Sequence, residues 1–221
     1  MNKKLIIFGI GELAELAYYY FKSDSPYEIS AFTVDKAYID KPELCGLPVV
    51  PYEDIAHSYP PDEYTMFIAT GYTGLNALRK EKHLWAKNEG YEIASYLSSK
   101  AILLNDNKIG ENCFIMAGCT VEPYVTIGDG VTLWSNSHIA HHSTIHDYCF
   151  IAPQAIIAGC TEIGEFCFIG ANSTIRDHVK VGAKSVIGAG AIILSDVYPE
   201  GLYISPETER AAISSTKLKK I

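Results

Sequence analysis

From Leu133 to Ile151 the chain reads LWSNSHIAHHSTIHDYCFI, and every sixth residue is aliphatic: Leu133, Ile139, Ile145 and Ile151. The rhythm runs on in both directions. It reaches back through Ile127, Val121, Ile115 and Ile109 to Leu103, and forward through Ile157, Ile163, Ile169, Ile175, Val181 and Ile187 to Ile193, without one insertion. Four residues after each aliphatic from Ile109 onward stands a small side chain, as at Cys113, Ser137, Ala155 and Val197. A period of six is neither the 3.6 of a helix nor the plain alternation of a strand. It suits short flat strands joined by tight corners, three hexapeptides to a turn, so that residues 18 apart stack at about 4.8 Å.

In such a prism the aliphatic and the small residue fill a narrow interior. Cys113, Cys119, Cys149 and Cys167 fall in the small slot, where a thiol is compact apolar filler. Cys45 lies in a loop, and Cys160 is the one cysteine at an outward repeat position, where a nucleophilic role is the alternative to a plain surface thiol. Glycines directly after the aliphatic, at Gly110, Gly128, Gly164, Gly170, Gly182 and Gly188, are read as serving corner conformations that other residues resist.

Ahead of the repeats the pattern changes. Lys4 to Phe8 reads as a strand, Glu12 to Lys22 as a helix, Glu28 to Val34 and Thr65 to Thr70 as strands, Leu75 to Asn88 as a helix and Glu92 to Tyr96 as a last strand. This alternation implies a small Rossmann-like parallel sheet with flanking helices. Gly9-Ile10-Gly11-Glu12-Leu13-Ala14 follows the first strand in the pattern G-x-G-x-x-A, and Asp35 ends the second. Glycines there admit a phosphate to the backbone and a carboxylate accepts hydrogen bonds from a ribose or base. About a hundred residues are too few for a full dinucleotide domain, so a nucleotide-linked substrate fits better than NAD, with a plain tight turn as the alternative. The chain divides into 1–97, 98–198 and a tail, 199–221.

Composition narrows the function further. Of 221 residues 48% are hydrophobic and 20% charged, an ordinary globular balance. A net charge of -8 argues against a nucleic-acid partner, and no apolar run has the length of a membrane span. Six cysteines without a CxxC pair signal neither a disulfide framework nor a zinc ribbon, and a cytoplasmic protein is expected.

The two halves together resemble the bacterial sugar acyltransferases, which include sialic acid O-acetyltransferases and N-acetyltransferases of nucleotide-linked 4-aminosugars. The resemblance rests on the G-x-G turn with Asp35, on Gly71-Tyr72 with Asn76 and Arg79, and on the unbroken hexapeptides with Ile187-Gly188-Ala189-Gly190 near their end. It implies a left-handed parallel β-helix, although general crossover handedness would favour the opposite turn. It also implies a homotrimer, acetyl-CoA in the groove between neighbouring prisms, and surface polysaccharide or glycoconjugate synthesis as the setting. The first domain would hold the nucleotide sugar at Gly9, Gly11, Asp35, Gly71 and Tyr72. Acetyl-CoA would lie against Ile187, Gly188, Ala189 and Gly190, with Lys184 near its phosphates. Lys180, Arg176, Lys217, Lys219 and Lys220 are alternatives for those phosphates, or ordinary solvated cations.

Seven histidines compete for the catalytic role. His141 is two past the interior Ile139, an outward position, and twelve before Pro153, the spacing typical of the family's general base. Gly159, one turn on, leaves space beside it and an N–H for a developing oxyanion. His142 and His138 stand by as supporting polar groups, His138 toward the substrate. The acid that many relatives carry directly after the base is His142 here, so Asp147 or a neighbouring subunit's acid is the expected orienter. Trp134, Tyr124 and Phe168 are candidates for burial between subunits. A zinc site on His141 and His146 lacks its third ligand, since Asn105 stands two turns earlier; no metal is expected. The competing readings are a sugar O-acetyltransferase and a non-catalytic nucleotide-sugar-binding scaffold.

Overall fold

The computed structural model describes residues 3–217. Its first part alternates β1 (Lys3–Phe8), α1 (Glu12–Ser23), β2 (Tyr27–Val34), β3 (Glu43–Leu44), β4 (Leu47–Pro51), α2 (Ile55–Ser58), β5 (Tyr64–Ile68), α3 (Ala77–Asn88) and β6 (Glu92–Ile93). The sheet order is β3-β4-β2-β1-β5-β6, parallel throughout except for the β3–β4 hairpin. Buried Leu5, Ile7, Phe32 and Phe67 pack against Ala14, Ala17 and Phe21 of α1, while Ile6, Phe8 and Met66 pack toward Ala86 of α3. The hairpin and β4 are absent from the sequence reading, because Pro48 and Pro51 punctuate a stretch that otherwise alternates.

From Tyr96 onward the chain makes a two-residue strand every six residues as far as Ile192–Ile193 and closes on Leu202–Tyr203. Three parallel walls result. The first wall stacks the strands that open at Tyr96, Phe114, Thr132, Phe150, Phe168, Val186 and Leu202; the second, those at Ile102, Thr120, His138, Ile156, Thr174 and Ile192; the third, those at Lys108, Thr126, Thr144, Glu162 and Lys180. Neighbouring hexapeptide strands within a wall keep a register of 18 residues, as in Thr132 beside Phe150 and His138 beside Ile156. The interior is the one implied by the sixfold rhythm. Val121, Ile139, Ile157 and Ile175 are wholly buried, and so are the small-slot residues Cys113, Cys119, Ser143 and Ala155. Cys45 and Cys160 are exposed, and all six cysteines are free thiols.

Two structural readings of the repeats need correction. The glycines after the aliphatics do not adopt left-handed backbone; that conformation falls three residues past the aliphatic, as at Asn112, Asn136, His142, Cys160 and Asn172. Gly110 and Gly164 are instead required by proximity: a Cβ would come 2.7 Å from the Gly128 carbonyl carbon and 2.5 Å from the Ala183 nitrogen on the next coil. The strand expected over Glu92 to Tyr96 is divided. Its first residues join β5, whereas Tyr96–Leu97 pairs with Phe114–Ile115 as the lowest strand of the first wall.

The first wall carries the N-terminal part, and the join is polar as well as apolar. Asn112 caps the end of β5, accepting the Ile68 N–H at 2.8 Å and returning an N–H to its carbonyl at 3.3 Å. Asn76 donates to the Tyr148 carbonyl at 2.7 Å. The buried Arg79 donates to the Gly130 carbonyl, to Thr132 Oγ1 at 2.5 Å and to the Thr70 carbonyl, and burial pushes its guanidinium down to about 10. Asp24, just past α1, accepts from Tyr96 Oη, Ser98 Oγ and the Ser99 N–H. Trp134 packs against this shared core, and the Tyr72 ring lies 5.2 Å from that of Phe168. Trp134 and Phe168, both half-buried, thus make contacts within the chain.

Candidate functional site

His141 sits at the corner between the second and third walls, two residues past the buried Ile139. In a three-sided coil that corner lies opposite the first wall, the one that carries the N-terminal part. The His141 imidazole lies flat on Gly159, one coil on. A Cβ there would come 2.7 Å from its Cε1 and 2.9 Å from its Nε2, so glycine is what lets the ring settle. Among the described residues the Gly159 N–H has no acceptor. A ring nitrogen and an unpaired N–H thus share one exposed corner, the pairing that acyl transfer uses for base and oxyanion donor.

The immediate neighbours differ from expectation. Nδ1 of His141 faces Nδ1 of His142 at 3.1 Å, and the His142 ring packs on Tyr124 with centroids 4.8 Å apart. Asp147, the expected orienter, is turned to the coil below, where it accepts the Asp129 N–H at 2.9 Å. The acid that does meet His141 is Glu122, whose Oε2 accepts the His141 backbone N–H at 2.9 Å while Oε1 lies 3.4 Å from His138 Nε2. Glu122 was missed by sequence reasoning, although it stands 18 residues before Ala140 and therefore directly beside it in the wall. His146 pairs with Glu162 at 3.1 Å, which Lys180 also approaches, and this pairing holds the Glu162 carboxyl below its usual range. Among the described residues no three His, Cys, Asp or Glu side chains stand together as metal ligands. His83 is buried beside Tyr148 Oη at 3.1 Å, and burial pushes its imidazole down.

The candidate nucleotide residues lie at the carboxyl ends of β1, β2 and β5. Gly9 has a left-handed φ of 122°, and a Cβ would sit 2.7 Å from the Ala69 carbonyl, so the fold itself requires it. Gly11 has open space around its missing Cβ and a plain extended backbone, so nothing in the fold requires it. Asp35 does not stand free: its Oδ1 takes the ammonium of the buried Lys82 at 2.7 Å, and that ammonium also sits 4.1 Å over the Tyr52 ring. Gly71 is exposed, and Tyr72 reaches across to Phe150 and Phe168, which stack on one another 5.3 Å apart.

Among the cofactor candidates, Ile187 is the interior aliphatic of its repeat. Its side chain is wholly buried inside the prism, so it presents only backbone to a ligand. Gly188, Ala189, Gly190 and Lys184 lie at or near the surface of the upper coils. Lys180 is engaged with Glu162, Arg176 is exposed, and Lys219 and Lys220 lie outside the described residues. No helix among the described residues is long and apolar enough to cross a membrane.

Within the coil, residues 108–141, 124–159 and 160–195 each match the model of the bacterial transferase hexapeptide family of six repeats. Among curated proteins no sequence matches. Solved structures resemble the chain over nearly its whole length. The acetyltransferase domain of PglB from Neisseria gonorrhoeae aligns over 92% of this chain and 97% of its own, at 25% identity and a TM-score of 0.82. PerB from Caulobacter crescentus, solved with CoA and GDP-perosamine, aligns over 91% and 94% at 22% identity and 0.82. WeeI from Acinetobacter baumannii aligns over 91% and 96% at 22% identity and 0.74. The likeness in fold therefore extends through both halves of the chain.

Proposed function

We propose that the protein transfers an acetyl group from acetyl-CoA to the amino group of a nucleotide-linked aminosugar, with His141 as general base. The observation that carries this reading is the His141 imidazole resting on Gly159 beside an unpaired N–H, in a chain shaped throughout like acetyltransferases of which one was solved with CoA and a nucleotide aminosugar. The first part, residues 1–97 with its Rossmann-like sheet, holds the nucleotide through Gly9, Gly11, Asp35, Gly71 and Tyr72. The prism of residues 98–198, coiled left-handed, holds acetyl-CoA along Gly188, Ala189, Gly190 and Lys184. The acceptor amine bonds to the thioester carbonyl carbon and its proton passes to Nε2 of His141. The oxyanion is met by the Gly159 N–H. Collapse breaks the C–S bond, and His141 returns the proton to the departing thiolate, leaving an amide and free CoA.

Because His141 lies opposite the wall that carries the nucleotide residues, a sugar held by one chain reaches the base of another, which calls for an assembly. A trimer would pack the second wall, whose exposed apolar column comprises Ile102, Leu104, Ile156, Ile192 and Leu194. His138, held by Glu122, lies on that same wall and faces the acceptor sugar. Six free thiols fit the reducing cytoplasm, where the product would feed polysaccharide or glycoconjugate synthesis. The test is His141→Ala, assayed by free-thiol release with a panel of nucleotide-linked amino and hydroxy sugars. Loss of about 10²- to 10⁴-fold in kcat with an amino acceptor is expected. Unchanged turnover, or turnover with hydroxy sugars alone, removes the assignment.

A further inference from the structure

We propose that His142 does the work a carboxylate would do behind the base: its neutral Nδ1 accepts the Nδ1–H of His141 and so fixes the tautomer in which His141 can act. This rests on the reading of His141 as the base. The two Nδ1 atoms face each other at 3.1 Å, and two imidazole nitrogens at that distance form a hydrogen bond only when one carries the proton. If His142 donated, a neutral His141 would carry its single proton on Nε2 and have no lone pair there for an incoming proton. If His141 donates, Nε2 is bare, and Nε2 lies with Cε1 on the edge of the ring that rests on Gly159, the residue whose N–H has no acceptor among the described residues. Only the second arrangement gives a competent base.

The surroundings hold His142 in that posture. Its backbone adopts the left-handed φ of 58° that recurs at this corner position of the repeats, and Tyr124 packs on its ring from the coil below. The titratable groups around the pair are the Tyr124 phenol, the exposed Cys160 one coil on, and Glu122, which holds the His141 backbone and faces His138. No carboxylate bonds either imidazole of the pair among the described residues.

An imidazole differs from a carboxylate in one consequential way: imidazoles as a class change charge in the physiological range, where carboxylates stay ionised. A second proton on His142 turns its Nδ1 from acceptor to donor, so that His141 must accept at Nδ1 and carry its own proton on Nε2. His142 is therefore a positioning residue that also gates the base, since an extra proton on either ring of the pair leaves His141 without its bare Nε2.

The test compares His142→Ala and His142→Glu with the full-length enzyme from about pH 5 to 9, the range in which imidazoles change charge. His142→Ala is expected to lower kcat about tenfold or more and to leave the KM of acetyl-CoA near its original value. On the acid side log kcat should fall with a slope approaching 2 in the parent enzyme and 1 in His142→Glu, which keeps or exceeds the parent kcat. Nitrogen-15 NMR of the unmodified protein reads the tautomers directly, with His141 protonated on Nδ1 and His142 on Nε2. A His142→Ala enzyme with parental kcat and acid limb, or a His141 ring protonated on Nε2, overturns the proposal while His141→Ala remains inactive. If His141→Ala is fully active, the reading of the base falls and this proposal with it.

Discussion

His141 and Gly159 touch across one turn of the coil, ring against bare backbone, and neither position is independent of the other. Gly159→Ala puts a methyl group where Cε1 and Nε2 now lie. The imidazole is the movable partner, so the chain should fold with a melting temperature close to that of the parent. The displaced base should lose about 10²-fold in kcat, the scale on which an ångström of misplacement acts. A kcat within twofold of the parent would show that the contact plays no part in the chemistry.

The two glycines of the G-x-G turn and those of the coil invite a paired comparison. Gly164→Ala drives a methyl into the Ala183 backbone and should cost about 1–3 kcal/mol in urea unfolding. Gly11→Ala meets open space and should cost less than about 1 kcal/mol. It should nonetheless raise the KM for the nucleotide sugar and spare that for acetyl-CoA. Steady-state kinetics with each substrate varied in turn would check the separation.

Arg79 binds three oxygens, and among the described residues no acid pairs with it. Arg79→Met leaves the Gly130 and Thr70 carbonyls and Thr132 Oγ1 buried without their donor, a loss of about 3 kcal/mol or more by chemical denaturation. Arg79→Lys should recover only part of that, since a single ammonium cannot span the three acceptors.

Asp24 gives the fold an acid-sensitive tie. Three donors from the first coil hold its carboxyl down to about 2, against an ordinary value near 3.8. A depressed carboxyl contributes stability that is complete above about pH 4 and drains away as pH falls toward 2. The contribution should be on the order of 1 kcal/mol at this partly exposed site. Asp24→Asn should lower the urea midpoint at neutral pH and make that midpoint less dependent on pH between those limits.

How far the sequence was legible varies with how local the cause is. The coil could be read because one short rule governs it: an aliphatic every sixth residue, from Leu103 to Ile193, leaves no other arrangement that buries them all. The stacking of Gly159 under His141 followed from the same arithmetic, and the count of 18 would have placed Glu122 beside Ala140 as well. Ile187 follows the same rule, its side chain turned into the coil so that only backbone is left for a ligand. Contacts between the halves could not be read. That Lys82 would seek Asp35, that Arg79 would bridge to Gly130 and Thr132, and that Trp134 would turn inward depend on docking two surfaces whose relation no periodicity encodes.

The fixed register of the walls makes the prism a molecule with a built-in ruler. Removing or duplicating one residue between Leu103 and Ile193 would throw every later side chain off its wall, whereas excising a whole circuit of eighteen would let the ends rejoin in phase. The molecule is thus free to lengthen or shorten in whole storeys, provided the two floors that hold the reacting pair stay adjacent.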